Sequence, residues 1–190
     1  VAVYDPKNHL AGVDWQMREA FAELANRFTT QTGMPLTVRS GARSCAQQNE
    51  LYGIGRTYNL GSKPVTYARG CQSWHVLGRA IDADPADPST GKPTSATQSC
   101  ANATIAGQLW EQMGGVWGGR FGGFGSCGDQ GHFEWHAGRK LVELCPDPDR
   151  CGEATLAIAT MKPSVPWAWS LAGGVLVLGI GLFLIGPKRR

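Results

Sequence analysis

The chain has only four histidines in 190 residues, and two of them sit among other reactive side chains. His75 lies in Ser73-Trp74-His75-Val76-Leu77-Gly78-Arg79-Ala80-Ile81-Asp82, and His132 lies in Asp129-Gln130-Gly131-His132-Phe133-Glu134-Trp135. Two imidazoles and one carboxylate from separate elements make a three-ligand site, and a fourth tetrahedral position left to water is what a catalytic zinc requires. The six cysteines, at 45, 71, 100, 127, 145 and 151, contain no Cys-x-x-Cys pair, which argues against a zinc ribbon or a thioredoxin-like site. Their even number suggests disulfides and an oxidising location, with six buried thiols as the alternative. Cys145 and Cys151 flank Pro-Asp-Pro-Asp-Arg and are expected to close a small local loop, the connectivity being otherwise open.

These groups need elements to position them. Asp14 can cap a helix over 14–28 with Trp15, Phe21, Leu24 and Phe28 on one face. Residues 36–39 read as a short strand, and a helix starting at Ser44 includes Gln47, Gln48, Leu51 and Tyr52 before Gly53 and Gly55 stop it. Residues 56–74 read as loop. Alternation of polar and apolar side chains over 79–84 predicts a half-buried strand ended by Pro85 and Pro88. A helix over 101–113 puts Ile105, Leu109, Trp110 and Met113 toward the core, and a Gly-rich stretch leads to a last strand over 132–136. No internal repeat is visible.

Composition bounds the function classes. Charged residues make up 17% of the chain, glycine is abundant, and 42% is hydrophobic, a poor fit to disorder or coiled coil and a better one to a loop-rich α+β domain. The net charge of +3 is carried by Lys188, Arg189 and Arg190, so the rest of the chain is neutral and offers no electrostatic footprint for nucleic acid. Residues 167–186 are almost wholly apolar, bounded by Trp167 and Trp169 and by the basic end, which predicts a transmembrane helix. The positive-inside bias puts everything before Trp167 on the opposite side from the tail. Residues 146–166, rich in Pro and small side chains, read as a tether. The N-terminal sequence lacks a secretory pattern, so either a signal has been removed or the chain inserts by its tail.

From about Val38 to Trp135 the sequence resembles the zinc peptidases that include VanY-type D-alanyl-D-alanine carboxypeptidases and the L-alanyl-D-glutamate endopeptidases used as phage endolysins. The segments that carry this are Ser40-Gly41-Ala42-Arg43-Ser44 with Gln48-Asn49-Glu50-Leu51-Tyr52 and Gly55-Arg56-Thr57; Ser73-x-His75 with Gly78, Ala80 and Asp82; and Trp117-Gly118-Gly119 leading through Phe124 to Asp129-x-x-His132-Phe133-Glu134. The second matches the family's Ser-x-His-x-x-Gly-x-Ala-x-Asp at every fixed position.

The resemblance implies zinc held by His75, Asp82 and His132, with Asp129 as general base. It implies that Arg43 stabilises an oxyanion or holds a substrate carboxylate, that Ser73 hydrogen-bonds near metal or substrate, and that Arg56 is a weaker candidate for substrate contact. A competing assignment uses Glu134 and His136 as base and ligand, but these are two apart where the carboxypeptidase branch has three; on a strand they share a face and border the site, with Glu134 free to orient a ligand imidazole. Ala42 replaces an aromatic and Gly131 a proline of the family pattern, and Cys71 and Cys127 lie where a disulfide could staple the site loops.

The reading is therefore an α+β zinc peptidase domain over 1–145, with a small antiparallel sheet and surrounding helices as in the hedgehog and D-Ala-D-Ala peptidase fold, then a tether over 146–166 and an anchor over 167–190. The implied partners are peptidoglycan and, through 167–186, a lipid bilayer. An anchored endolysin-like domain further suggests a protein of a membrane-containing phage virion, or else of a bacterial envelope. The rival is a non-catalytic wall-binding or structural membrane protein that keeps the fold, against which stands Asp129, a residue that binding alone does not need.

Overall fold

The side chain of Asp14 accepts hydrogen bonds from the backbone N–H groups of Gln16 and Met17, satisfying donors that a helix start leaves open. A computed structural model of the chain describes residues 2–122 and 127–141. The helix that Asp14 caps, α1, spans Trp15–Thr32, about a turn longer than 14–28, and ends where Gly33 takes a left-handed conformation. Its buried stripe is Met17, Phe21, Leu24, Ala25 and Phe28, while Trp15 is only half-buried off that stripe. A second helix, α2, spans Cys45–Gly53, and its N-cap Ser44 exchanges hydrogen bonds with Gln47. The third, α3, spans Cys100–Gln112 with Ser99 as N-cap. On α3 the fully buried residues are Ala103, Ala106, Gly107 and Trp110; Ile105, Leu109 and Met113 pack at the margin.

The strands are β1 (Val3–Tyr4), β2 (Leu36–Ser40), β3 (Ala80–Pro85), β4 (Val116–Trp117) and β5 (His132–Glu134), ordered β1-β2-β3-β5-β4 in one sheet. β1 runs parallel to β2, and the other neighbours are antiparallel. This corrects the antiparallel sheet expected from sequence: α1 intervenes between β1 and β2 and carries the chain back, so that both strands run the same way. β5 stops at Glu134, leaving His136 in the following turn.

Strand periodicity divides the sheet chemically. Leu36, Val38, Ile81, Ala83 and Phe133 face the core with Phe21 and Phe28 of α1 and Trp110 of α3. The alternate residues, Asp82, Asp84, His132 and Glu134, belong to the other face. β3 is not half-buried as expected, since Asp84 is also buried. Its central place between β2 and β5, with loops over the polar face, is the reason. The tether, the apolar stretch 167–186 and the Cys145/Cys151 pair lie outside the described residues. Among the described residues no helix is long and apolar enough to cross a membrane.

Candidate metal centre and active site

Sheet register does much of the assembly. Asp82 pairs with His132 across β3 and β5 and with Ser40 across β2 and β3. His75 comes from the turn just before β3. Gly78 closes that turn with φ +65°, and a Cβ there would stand 2.7 Å from the carbonyl oxygen of Gly12. The Gly78 carbonyl accepts from the backbone N–H of Asp14, which fastens the His75 turn to the start of α1.

Nε2 of His75, Oδ1 of Asp82 and Nδ1 of His132 thereby face one another. The separations are 3.2 Å from His75 to Asp82, 2.9 Å from His132 to Asp82 and 3.3 Å between the imidazoles. Ligand atoms of all three lie within 4.8 Å. A tetrahedral zinc with the usual Zn–N and Zn–O distances needs ligand edges of about 3.4 Å, so this triangle fits one tetrahedral face. The far side of each group is occupied. His75 Nδ1 lies 2.7 Å from the Gly41 carbonyl, His132 Nε2 lies 2.8 Å from Glu134 Oε1, and Asp82 Oδ2 receives Arg43 Nη2 at 2.5 Å. An imidazole that donates through its far nitrogen presents a lone pair at the near one. The donor set and its supports fit zinc.

The electrostatics point the same way. Burial opposes ionisation of Asp82, but the charges and hydrogen bonds of His75 and His132 outweigh it and hold the carboxyl well below its ordinary range. Burial disfavours a charged His132, yet its hydrogen bonds to Asp82 and Glu134 push its pKa up to about 10. The pocket is built for positive charge between carboxylates.

A cleft of about 440 Å³ opens over this triangle, lined also by Arg39, Ser40, Arg43, Tyr67, Ser73 and Asp129. Asp129 lies in the turn before β5, where its carbonyl accepts from the His132 N–H. Burial pushes its carboxyl up, His132 opposes that and Asp82 adds to it. Gly118 makes room for this turn: a Cβ there would stand 2.5 Å from the Asp129 carbonyl oxygen and 2.8 Å from the His132 Cβ. A disulfide between Cys127 and Cys100 ties the segment entering the turn to the start of α3.

The other sequence candidates differ in their placement. Ser73 borders the cleft, and its Oγ accepts from the His75 N–H at 3.3 Å. Arg43 is within the site but committed on three sides, through Nε to Ser40, Nη1 to Gln48 and Nη2 to Asp82. Arg56 is away from the metal triangle; it donates to the carbonyls of Tyr52 and Thr66 and lies over the Tyr52 ring, bracing the 66–68 wall of the cleft. Glu134 contacts His132 and His136 with its two oxygens, and His136 stacks on Trp74 at 4.0 Å. Sequence reading did not single out the Gly41 carbonyl, the role of buried Gln48 beside Arg43, or Arg39. For Arg39 a signal existed: it continues the polar phase that Thr37 sets in Leu36-Thr37-Val38-Arg39.

Comparisons with known proteins fall on this region. Residues 66–135 match a family model described as D-alanyl-D-alanine carboxypeptidase, and they contain His75, Asp82, Asp129, His132 and Glu134. A 50-residue segment is 46% identical to the peptidoglycan L-alanyl-D-glutamate endopeptidase CwlK of Bacillus subtilis (strain 168), covering 26% of this chain and 29% of that protein. The match thus spans less than a third of that relative's length. Among solved structures, the L-Ala D-Glu endopeptidase ChiX of Serratia marcescens aligns at 21% identity with a TM-score of 0.44, over 67% of this chain and 84% of that one. The LdcB LD-carboxypeptidase aligns at 18% identity with a TM-score of 0.49, over 79% and 70%. The resemblance to the VanY-like zinc peptidase family drawn from the motifs is supported by the family model and by the CwlK match.

Proposed function

We propose that the chain is a zinc-dependent peptidase of bacterial peptidoglycan that hydrolyses an amide bond within the peptide stem, as an endopeptidase rather than by removing a terminal D-alanine. The carrying observation is the convergence of His75 Nε2, Asp82 Oδ1 and His132 Nδ1 in a cleft that Asp129 also lines. The CwlK match and the endolysin-like third motif favour the endopeptidase reading.

His75, Asp82 and His132 would hold the zinc, which when bound polarises a carbonyl and makes water acidic. Asp129 accepts a proton from the water as it attacks the scissile carbonyl, and its carboxyl then delivers that proton to the departing amine. A carboxyl raised by burial suits both duties. Arg43 holds Asp82, and Ser73 holds the His75 backbone.

The 190-residue chain in detergent, loaded with zinc and incubated with peptidoglycan, is expected to release new amino termini identifiable by mass spectrometry. Asp129→Asn should lower turnover by about a hundredfold or more with zinc content unchanged. No cleavage of several wall chemotypes by zinc-loaded protein would favour the non-catalytic wall-binding reading.

The proposal extends to the apolar stretch 167–186 as a membrane anchor, which carbonate extraction of membranes would test. It extends also to action in a phage particle that cuts the wall as the phage enters or lyses its host. Absence of the chain from purified particles would overturn that part.

A further inference from the structure

Two guanidinium groups border the cleft and are differently employed. Arg43 is spent on Ser40, Gln48 and Asp82, and its side chain is only 17% exposed. Arg39 is 48% exposed and engages Asp84 Oδ2 through Nε at 2.6 Å; among the described residues no other acceptor meets its terminal nitrogens.

Arg39 follows Thr37, the partner of Asp84, by two residues and so falls on the polar face by regular alternation, and an irregularity in β2 then brings Ser40 onto the same face. The β2/β3 register runs Val38 to Ala83 and then Ser40 to Asp82, leaving Arg39 as the extra residue of a bulge. Strict alternation would turn one of Arg39 and Ser40 away, whereas here both border the cleft. The cation is also built in place. Asp84, with 4% of its side chain exposed, holds Arg39 and is itself held by Gln98 Nε2 at 2.9 Å. The guanidinium lies over the turn that joins Asp129 to His132, since a Cβ at Gly131 would stand 2.2 Å from Arg39 Nη2. A fixed cation with open donors therefore stands beside the proposed base and a proposed ligand.

We infer that Arg39 binds a carboxylate of the substrate next to the scissile bond and so makes the enzyme prefer stems in which that carboxylate is free. The inference rests on the peptidase reading above. In a stem peptide the D-glutamyl residue continues through its γ-carboxyl and leaves its α-carboxylate beside the L-Ala–D-Glu amide. A carboxylate offers the guanidinium two charged acceptors; the corresponding carboxamide offers one neutral acceptor and turns an NH2 group toward other donors.

The test compares two synthetic stems, L-Ala-γ-D-Glu-L-Lys with a free α-carboxylate and the same peptide with an α-carboxamide, cleaved by the zinc-loaded chain. The wild type should favour the acid by about tenfold or more in kcat/KM, the range of one charged hydrogen-bonded pair. Arg39→Gln should bring the ratio to about one even where overall activity drops, because a ratio cancels the amount of folded protein. Arg39→Lys, which keeps a charge beside Asp84, should retain part of the preference and serves if the Gln variant does not fold. Equal cleavage of both stems by the wild type, or an undiminished preference in Arg39→Gln, overturns the inference and leaves the peptidase reading standing. Cleavage of neither stem, with stem-peptide bonds of intact peptidoglycan also uncut, overturns both.

Discussion

Glu134 Oε1 stands 2.8 Å from Nε2 of His132, on the side of that imidazole away from Asp82. Its other oxygen lies 2.6 Å from Nε2 of His136, which in turn stacks on Trp74. One carboxylate thus fixes the orientation of the imidazole that faces the metal triangle and is itself braced by a second imidazole at the rim.

Removing that brace should loosen the metal without removing a ligand. Glu134→Ala is expected to weaken zinc binding about 10- to 100-fold in a competition assay with a chromogenic chelator. His132→Ala should lose stoichiometric zinc by elemental analysis, while His136→Ala should keep it. The opposite pattern for the two histidines would replace the ligand set proposed here.

Arg43 acts through Asp82 in this geometry. Arg43→Gln should raise the zinc Kd about tenfold or more, and excess zinc should then restore most of the lost turnover. Turnover that stays low at saturating zinc would mean that Arg43 works on the substrate itself.

The close approach at Gly118 gives a packing test. Gly118→Ala puts a methyl group into the Asp129–His132 turn and is expected to cost about 1–3 kcal/mol in urea unfolding, with losses in both zinc affinity and turnover. Gly33→Ala is the contrast: at φ +76° but with nothing within 4 Å of its Cβ, it should lose about 1 kcal/mol and leave kcat/KM unchanged. Equal effects of the two on activity would separate Gly118 from the site.

Cys100 and Cys127 close a loop with a sequence separation of 27. Loop-closure entropy assigns such a crosslink about 3.5 kcal/mol. Cys100→Ser with Cys127→Ser should show that loss in denaturant titration, and the folded fraction should turn over more slowly because the released segment enters the Asp129 turn. Full activity in the folded fraction would leave the disulfide a role in stability alone.

Much of this was legible in the chain. The cap at Asp14 and the apolar spacing marked α1, and the cap at Ser44 with the glycines that follow marked α2, because helix starts, stops and a buried stripe are local in sequence. The pairing of His75 with Asp82 was legible because turn and strand are contiguous. Trp15 misled the reading of the α1 face, since a large apolar residue near a helix start need not point with the stripe. The mixed sheet was hidden because strand direction depends on where α1 sends the chain.

By itself, then, the sequence determined the chemistry on offer: two imidazoles, a carboxylate and a nearby acid on motifs whose types and spacing are local properties. Tertiary structure alone decided how these groups are deployed. The β3/β5 register sets Asp82 beside His132 across fifty positions of chain, a contact that no local pattern encodes. The same holds for the roles of the arginines. A guanidinium can bind whatever anion is near, and only packing placed Arg43 against Asp82 while buried Asp84 tethered Arg39 beside the open cleft.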